Sequence, residues 1–91
     1  VTSARWSLVV APTAERGLSR LPHEAAAAVV EFMLGPLLAA PTRIGRPLSR
    51  ELEGLLVARR GPYRVVYQRD KRARQVQVLR IDHRADIYRP R

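Results

Sequence analysis

Tyr63-Arg64-Val65-Val66-Tyr67-Gln68-Arg69 alternates apolar and polar side chains and is rich in β-branched and aromatic residues. The pattern predicts a strand with two unlike faces, because residues two apart project to the same side. Tyr63, Val65 and Tyr67 make the expected core side; Arg64, Val66 and Gln68 make the other. Upstream, Arg60-Gly61-Pro62 supplies a turn, and Leu52–Arg60 before it is strand-like. Downstream, Asp70-Lys71-Arg72-Ala73-Arg74 is a polar hairpin loop with a solvated tip, and Gln75–Ile81 reads as the last long strand. Successive strands joined by tight turns predict an antiparallel meander.

The N-terminal half reads differently. Trp6, Leu8, Val9 and Val10 form a short apolar run within residues 5–11 that Pro12 ends, as a strand would. Thr13 is placed to cap a following short helix whose apolar face is Ala14, Leu18 and Leu21, and Gly17 weakens that helix. Pro22 suits the first turn of a second helix, with Glu24 complementing its dipole. Its apolar face runs through Ala26, Val29, Val30, Met33 and Leu34, and Gly35-Pro36 ends or kinks it. Residues 41–47 are a connecting loop. The segment 82–91 is too polar for core, with Ile87 and Tyr88 as its anchors. The expected order is β-α-α-β-β-β in one domain over residues 1–91. The fold class is α+β: an antiparallel sheet with two N-terminal helices packed on one face.

Composition removes several kinds of function. The 91 residues hold no cysteine, which removes thiol catalysis, disulfides and thiolate metal sites, and the two histidines, His23 and His83, are too few to point to a dedicated zinc site. No glycine-rich phosphate loop, Gly-x-Ser-x-Gly or His-Glu-x-x-His occurs, and the carboxylates are too scattered for a two-metal site. No cofactor is expected. No apolar stretch reaches membrane-spanning length, so the reading is a cytoplasmic protein without a membrane partner.

The net charge is +9, and it is one-sided. Residues 1–42 set Arg5, Arg16 and Arg20 against Glu15, Glu24 and Glu31 and are neutral, so residues 43–91 carry the whole excess. Of the 17 basic residues only Lys71 is lysine. Planar, bidentate arginine suits phosphate and stacks on bases, which points to nucleic acid. An arginine-rich codon bias, an acidic protein or a membrane surface are the alternatives.

Arg59, Arg60, Arg64, Arg80, His83, Arg84, Tyr88 and Arg89 gather near the C-terminus. Metal-free cleavage of an RNA phosphodiester needs few parts: deprotonation of the 2′-hydroxyl, stabilisation of charge on the phosphoryl oxygens, and a proton or cation for the departing 5′-oxygen. Arginine serves the second need; histidine and tyrosine serve the others, and tyrosine also stacks on bases. Each residue also has a plain structural reading, Arg80 pairing with Asp82 among them.

The run from Leu52 through Arg59-Arg60-Gly61-Pro62-Tyr63-Arg64-Val65-Val66-Tyr67, with His83-Arg84-Ala85-Asp86-Ile87-Tyr88, resembles RelE-type toxins of the RelE/ParE superfamily, most closely their actinobacterial branch. The resemblance covers nearly the whole chain in the expected order. It implies a ribosome-dependent, metal-independent mRNA endonuclease that inhibits translation. It also implies a cognate antitoxin, with operator DNA bound only through the antitoxin complex. It assigns phosphate stabilisation to Arg64, a role on the phosphate or leaving group to Arg84, and nucleophile orientation and base stacking to Tyr88. Arg59, Arg60, Arg80 and Arg89 are the expected RNA contacts. The best-known members carry a basic pair where this chain has Leu55 and Val57, which leaves the general base open and makes His83 a candidate for it. The alternatives are a ParE-type non-catalytic toxin acting on DNA gyrase and a plain basic nucleic-acid-binding module.

Overall fold

A computed structural model describes residues 6–47 and 54–83. The chain runs β1 (Ser7–Val10), α1 (Pro12–Ser19), α2 (His23–Phe32), a π-helical turn (Met33–Leu37), α3 (Pro41–Ile44), β2 (Arg46–Pro47), β3 (Leu56–Arg60), β4 (Tyr63–Asp70) and β5 (Gln75–His83). The strands form one sheet in the order β1-β5-β4-β3-β2. The α+β class and the β3-β4-β5 meander are as expected. Three details differ. The sheet is mixed, because β1 pairs parallel with β5, Ser7 opposite Gln75 through Val10 opposite Val78. The loop expected over residues 41–47 holds α3 and β2, whose Arg46 and Pro47 add a short edge to β3. The last strand continues past Ile81 to His83.

The alternation in β4 works as read. Val65 and Tyr67 are fully buried and join Leu56, Ala58, Val76, Val78 and Ile81 beneath Val29, Phe32, Met33, Leu37 and Leu38. Trp6 and Tyr63 pack against this core. In α2, Phe32 rather than Leu34 points inward. At ~100° per residue Phe32 lies about 60° from Val29 around the helix and Leu34 about 140°. The stripe therefore centres on Val29, Met33 and the larger Phe32, and Leu34 is left half exposed. Pro36 lacks an N–H, and the backbone passes it in a wider turn rather than ending there.

α1 sits where the sheet would otherwise have an open edge. β1 covers β5 only as far as Val78, and α1 takes over from there. The Ala11 N–H donates to the Val78 carbonyl at 2.8 Å. Thr13 does not cap the helix; its hydroxyl donates to the Leu79 carbonyl at 2.9 Å. Gly17 is buried, and a Cβ on it would stand 2.2 Å from the Ile81 carbonyl oxygen. Its glycine is a condition of helix–strand approach, which outweighs the loss of helix propensity.

A second anchor is Tyr67. Its hydroxyl donates to the Pro41 carbonyl at 2.6 Å, and a Cβ at Gly45 would collide with the Tyr67 hydroxyl oxygen. Arg69 is half-buried and donates to the Thr42 hydroxyl at 2.8 Å, so two residues of β4 hold α3. No described helix is long and apolar enough to cross a membrane.

Gly17→Ala forces α1 off β5 and is expected to cost roughly 2 kcal/mol, the range for overpacking, read as a lower urea midpoint with unchanged slope. Tyr67→Phe orphans the Pro41 carbonyl and is expected to cost on the order of 1 kcal/mol. Burial raises the Tyr67 pKa above its ordinary 10.0, against the lowering influence of the Arg69 charge and the Gly45 amide. The folded state thus favours the protonated phenol. Its contribution is complete below the ordinary tyrosine pKa and is lost as pH rises through the folded value. Unfolding followed from neutral to strongly alkaline pH should show this loss in the wild type, and a smaller one in Tyr67→Phe.

Candidate functional site

β4 places Arg64 between Arg59 of β3 and Asp82 of β5 in one cross-strand row. The neighbouring row on the same face runs Arg46, Val57, Val66, Arg80 from β2 to β5. Residues paired across strands share a face, and rows two residues apart stand about 7 Å apart along the strands. Both rows lie on the face turned away from the helices; Val66 is buried there but is not part of the helix-covered core. At the other end of this face Gln68, Gln75 and Gln77 form a neutral amide chain, with Gln68 Nε2 donating to Gln77 Oε1 and Gln77 Nε2 to Gln75 Oε1. Positive charge is therefore concentrated toward the β3–β4 turn.

Like charges directly opposite one another destabilise a sheet. Arg59 opposite Arg64 is such a pair, and Asp82 on the other side of Arg64 offsets part of the repulsion. Asp82 is also committed to Arg80, Nη2 to Oδ2 at 2.7 Å. The approach is too poorly angled for a hydrogen bond, so the attraction is Coulombic. The carboxylate is nearly buried while Arg80 stays about half exposed, 13% against 45%. The Arg80 guanidinium thus stays at the exposed level of the surface, with the Asp82 carboxylate beneath it.

The expected site residues divide. Arg59, Arg64 and Arg80 come together on the outer face. His83 pairs with Tyr63, and Tyr63 with Arg60, in a row that belongs to the opposite, helix-covered face. The His83 ring meets the Tyr63 ring edge-on, with centroids 5.6 Å apart and planes at 86°. Arg84, Tyr88 and Arg89 lie outside the described residues. Two features escaped the sequence reading. Arg46 stands beside Val57, one of the two positions where the resemblance leads one to expect a basic residue, and so returns charge there from a different strand. Only the sheet register shows this, since two residues make no periodic signal. Arg16 and Arg20 border the face from α1; their spacing of four on a helix is visible in the sequence. Among the described residues no group of three or more His, Cys, Asp and Glu is placed to hold a metal ion.

Known proteins resemble this chain in sequence and in fold. Residues 8–88 match the family model of the ParE toxin of the type II toxin–antitoxin system parDE. The chain is 54% identical over 77 residues to toxin RelG of Mycobacterium tuberculosis, spanning 85% of this chain and 88% of that protein. It is 49% identical over 84 residues to toxin RelE of the same organism, spanning 92% and 87%. Among solved structures it resembles a chain of the toxin–antitoxin complex RelBE2 from M. tuberculosis, with a TM-score of 0.84 and 45% identity over 88% of this chain and 99% of that one.

Asp82→Asn releases Arg80 and adds one unit of positive charge to the face. Affinity for a single-stranded oligonucleotide is expected to rise roughly fivefold at low salt and to converge on the wild-type value at high salt, measured by fluorescence anisotropy.

Proposed function

The chain belongs to the RelE/ParE family of toxins from type II toxin–antitoxin systems, and from that premise we propose that it is a ribosome-dependent mRNA endonuclease that stops translation. The observation that carries this reading is the row Arg59–Arg64–Asp82, with Arg46 and Arg80 in the row beside it. Identities of 54% and 49% to toxins named RelG and RelE support the RelE-type branch over a gyrase-directed one.

The chemistry follows from what arginines on a sheet can do. The 2′-hydroxyl gives up its proton to solvent as its oxygen attacks the adjacent phosphorus, the bond from phosphorus to the 5′-oxygen breaks, and the departing oxygen takes a proton from solvent, leaving a 2′,3′-cyclic phosphate and a 5′-hydroxyl. Negative charge grows on the non-bridging oxygens as the attack proceeds. Arg64, half-buried and fixed by β3 and β5 on either side, stabilises that charge without having to reorganise. Arg59, Arg46 and Arg80 hold the flanking backbone. Arg84 supplies the departing 5′-oxygen with a cation, and Tyr88 orients the nucleophile and stacks on a base. Arg60 and Arg89 remain peripheral RNA contacts. His83 stands on the opposite face from Arg64, so it is not assigned the proton transfer. The reaction takes place in the cytoplasm, where the ribosome is. A cognate antitoxin restrains the toxin, in keeping with the RelBE2 complex that its fold matches, and the pair reaches operator DNA through the antitoxin.

The test is cleavage of mRNA on programmed ribosomes. Arg64→Ala is expected to lower the rate by about 100-fold, the scale of removing one preorganised charge-stabilising donor. Arg84→Ala and Tyr88→Phe should also lower it, whereas His83→Ala should cost less than tenfold. Undiminished cleavage by Arg64→Ala, Arg84→Ala and Tyr88→Phe alike would sink the site. Intact mRNA together with gyrase-dependent DNA breaks would replace the reading with a ParE-type one.

A further inference from the structure

Between α1 and β5 runs an open groove of about 280 Å³ lined by Thr13, Arg16, Gly17, Arg20, Arg80 and Asp82. Three of its six lining residues are arginines and one is an acid, which leaves it with a net charge of +2. The acid is already committed to Arg80. Among the described residues, Arg16 and Arg20 have no ion-pair partner. A cation near a helix C-terminus has a plain explanation in the helix dipole. The dipole does not explain why two arginines one helical turn apart converge on a third from a strand. They converge because Gly17, between them in sequence, lets α1 lie directly against β5.

We propose that this groove is a phosphate seat, in which Arg16, Arg20 and Arg80 clamp one backbone phosphate of a single-stranded RNA outside the Arg59–Arg64 row. The proposal rests on the nuclease reading above and extends it by adding a second grip on the same strand. Three observations choose RNA over an acidic protein segment. The lining offers no large apolar side chain for a partner helix to bury, and protein docking needs such a core. Arg80 and Asp82 belong both to the groove and to the outer-face rows, so the seat is continuous with the Arg64 surface. The open space, about 280 Å³, accommodates a phosphate that keeps part of its hydration. A strand held here crosses β5 and β4 toward Arg64, roughly perpendicular to the β-strands.

The test uses the full-length toxin and a short 2′-O-methyl RNA oligonucleotide, which binds but lacks the nucleophile and cannot be cut. Arg16→Ala/Arg20→Ala should weaken binding about tenfold at low salt. It should also reduce the slope of log K against log salt by about 0.7, the value for one phosphate contact on a single strand. Arg16→Lys/Arg20→Lys keeps the charge and should keep the slope. Unchanged affinity and slope in the alanine variant would overturn the proposal. So would weakened binding of the cognate antitoxin with unchanged oligonucleotide binding, which would make the groove a protein contact. Because the probe is not cleaved, failure of the nuclease reading is seen separately: wild-type toxin that leaves ribosome-bound mRNA intact yet shows this arginine-dependent binding removes the enzyme and keeps the seat.

Discussion

The Ile81 carbonyl oxygen occupies the place where residue 17 would carry a β-carbon, and the rest of the molecule is arranged around that contact. β5 is flanked on one side by β4 along its whole length, and on the other first by β1 and then by α1. An unpaired stretch of strand edge invites association with other chains. Here the helix covers it, with Thr13 taking the Leu79 carbonyl and the glycine admitting the Ile81 carbonyl against the helix backbone. Such an approach also permits weak Cα–H···O contact. Seating the helix this closely decides which of its residues face the core, where Ala14 is fully buried, and which face the open side, where Arg16 and Arg20 lie.

The sheet divides its two faces between an apolar core and a cationic outer surface. On the helix side, Val65, Tyr67, Val76, Val78 and Ile81 are shielded from water, and Tyr67 reaches past them to tie α3 in place. On the other side the strands carry arginines in adjacent positions, with Asp82 in the Arg59–Arg64 row and Asp70 at the far end of the face. Such a face works against folding, and an anionic ligand bound to it would relieve the repulsion. Proteins commonly concede stability at functional surfaces in this way. Asp82 moderates the cost without neutralising the surface, because it is nearly buried and leaves the guanidinium groups above it.

Local periodicity made much of this legible in the sequence. The alternation from Tyr63 to Arg69 identified the core side of β4, the Gly61-Pro62 turn and the 70–74 hairpin set the meander, and the same alternation put Arg64 on the outer face. What periodicity does not contain is register between distant segments. The parallel pairing of β1, the position of Arg46 beside Val57, and the separation of His83 from Arg64 all depend on it. The packing role of Gly17 is hidden for a related reason: propensity scales record what glycine costs a helix and are blind to a carbonyl arriving from residue 81. In α2, choosing Leu34 over Phe32 was a matter of phase, since both positions are apolar and only the larger buried ring fixes the rotation of the helix.

The pairing of β1 with β5 has a consequence for how the protein is made. Ser7 meets Gln75, and Gly17 meets Ile81, across more than 60 residues of intervening chain. Contacts of such separation close slowly, because the loop between them must be ordered first. During synthesis, β1 and α1 leave the ribosome before the strand that both require exists. The nascent chain therefore carries an unsatisfied apolar strand and an uncovered helix face until residue 81 emerges. The arginine rows are completed by the same strand, so the chain acquires its stable core and its cationic outer face at one and the same moment.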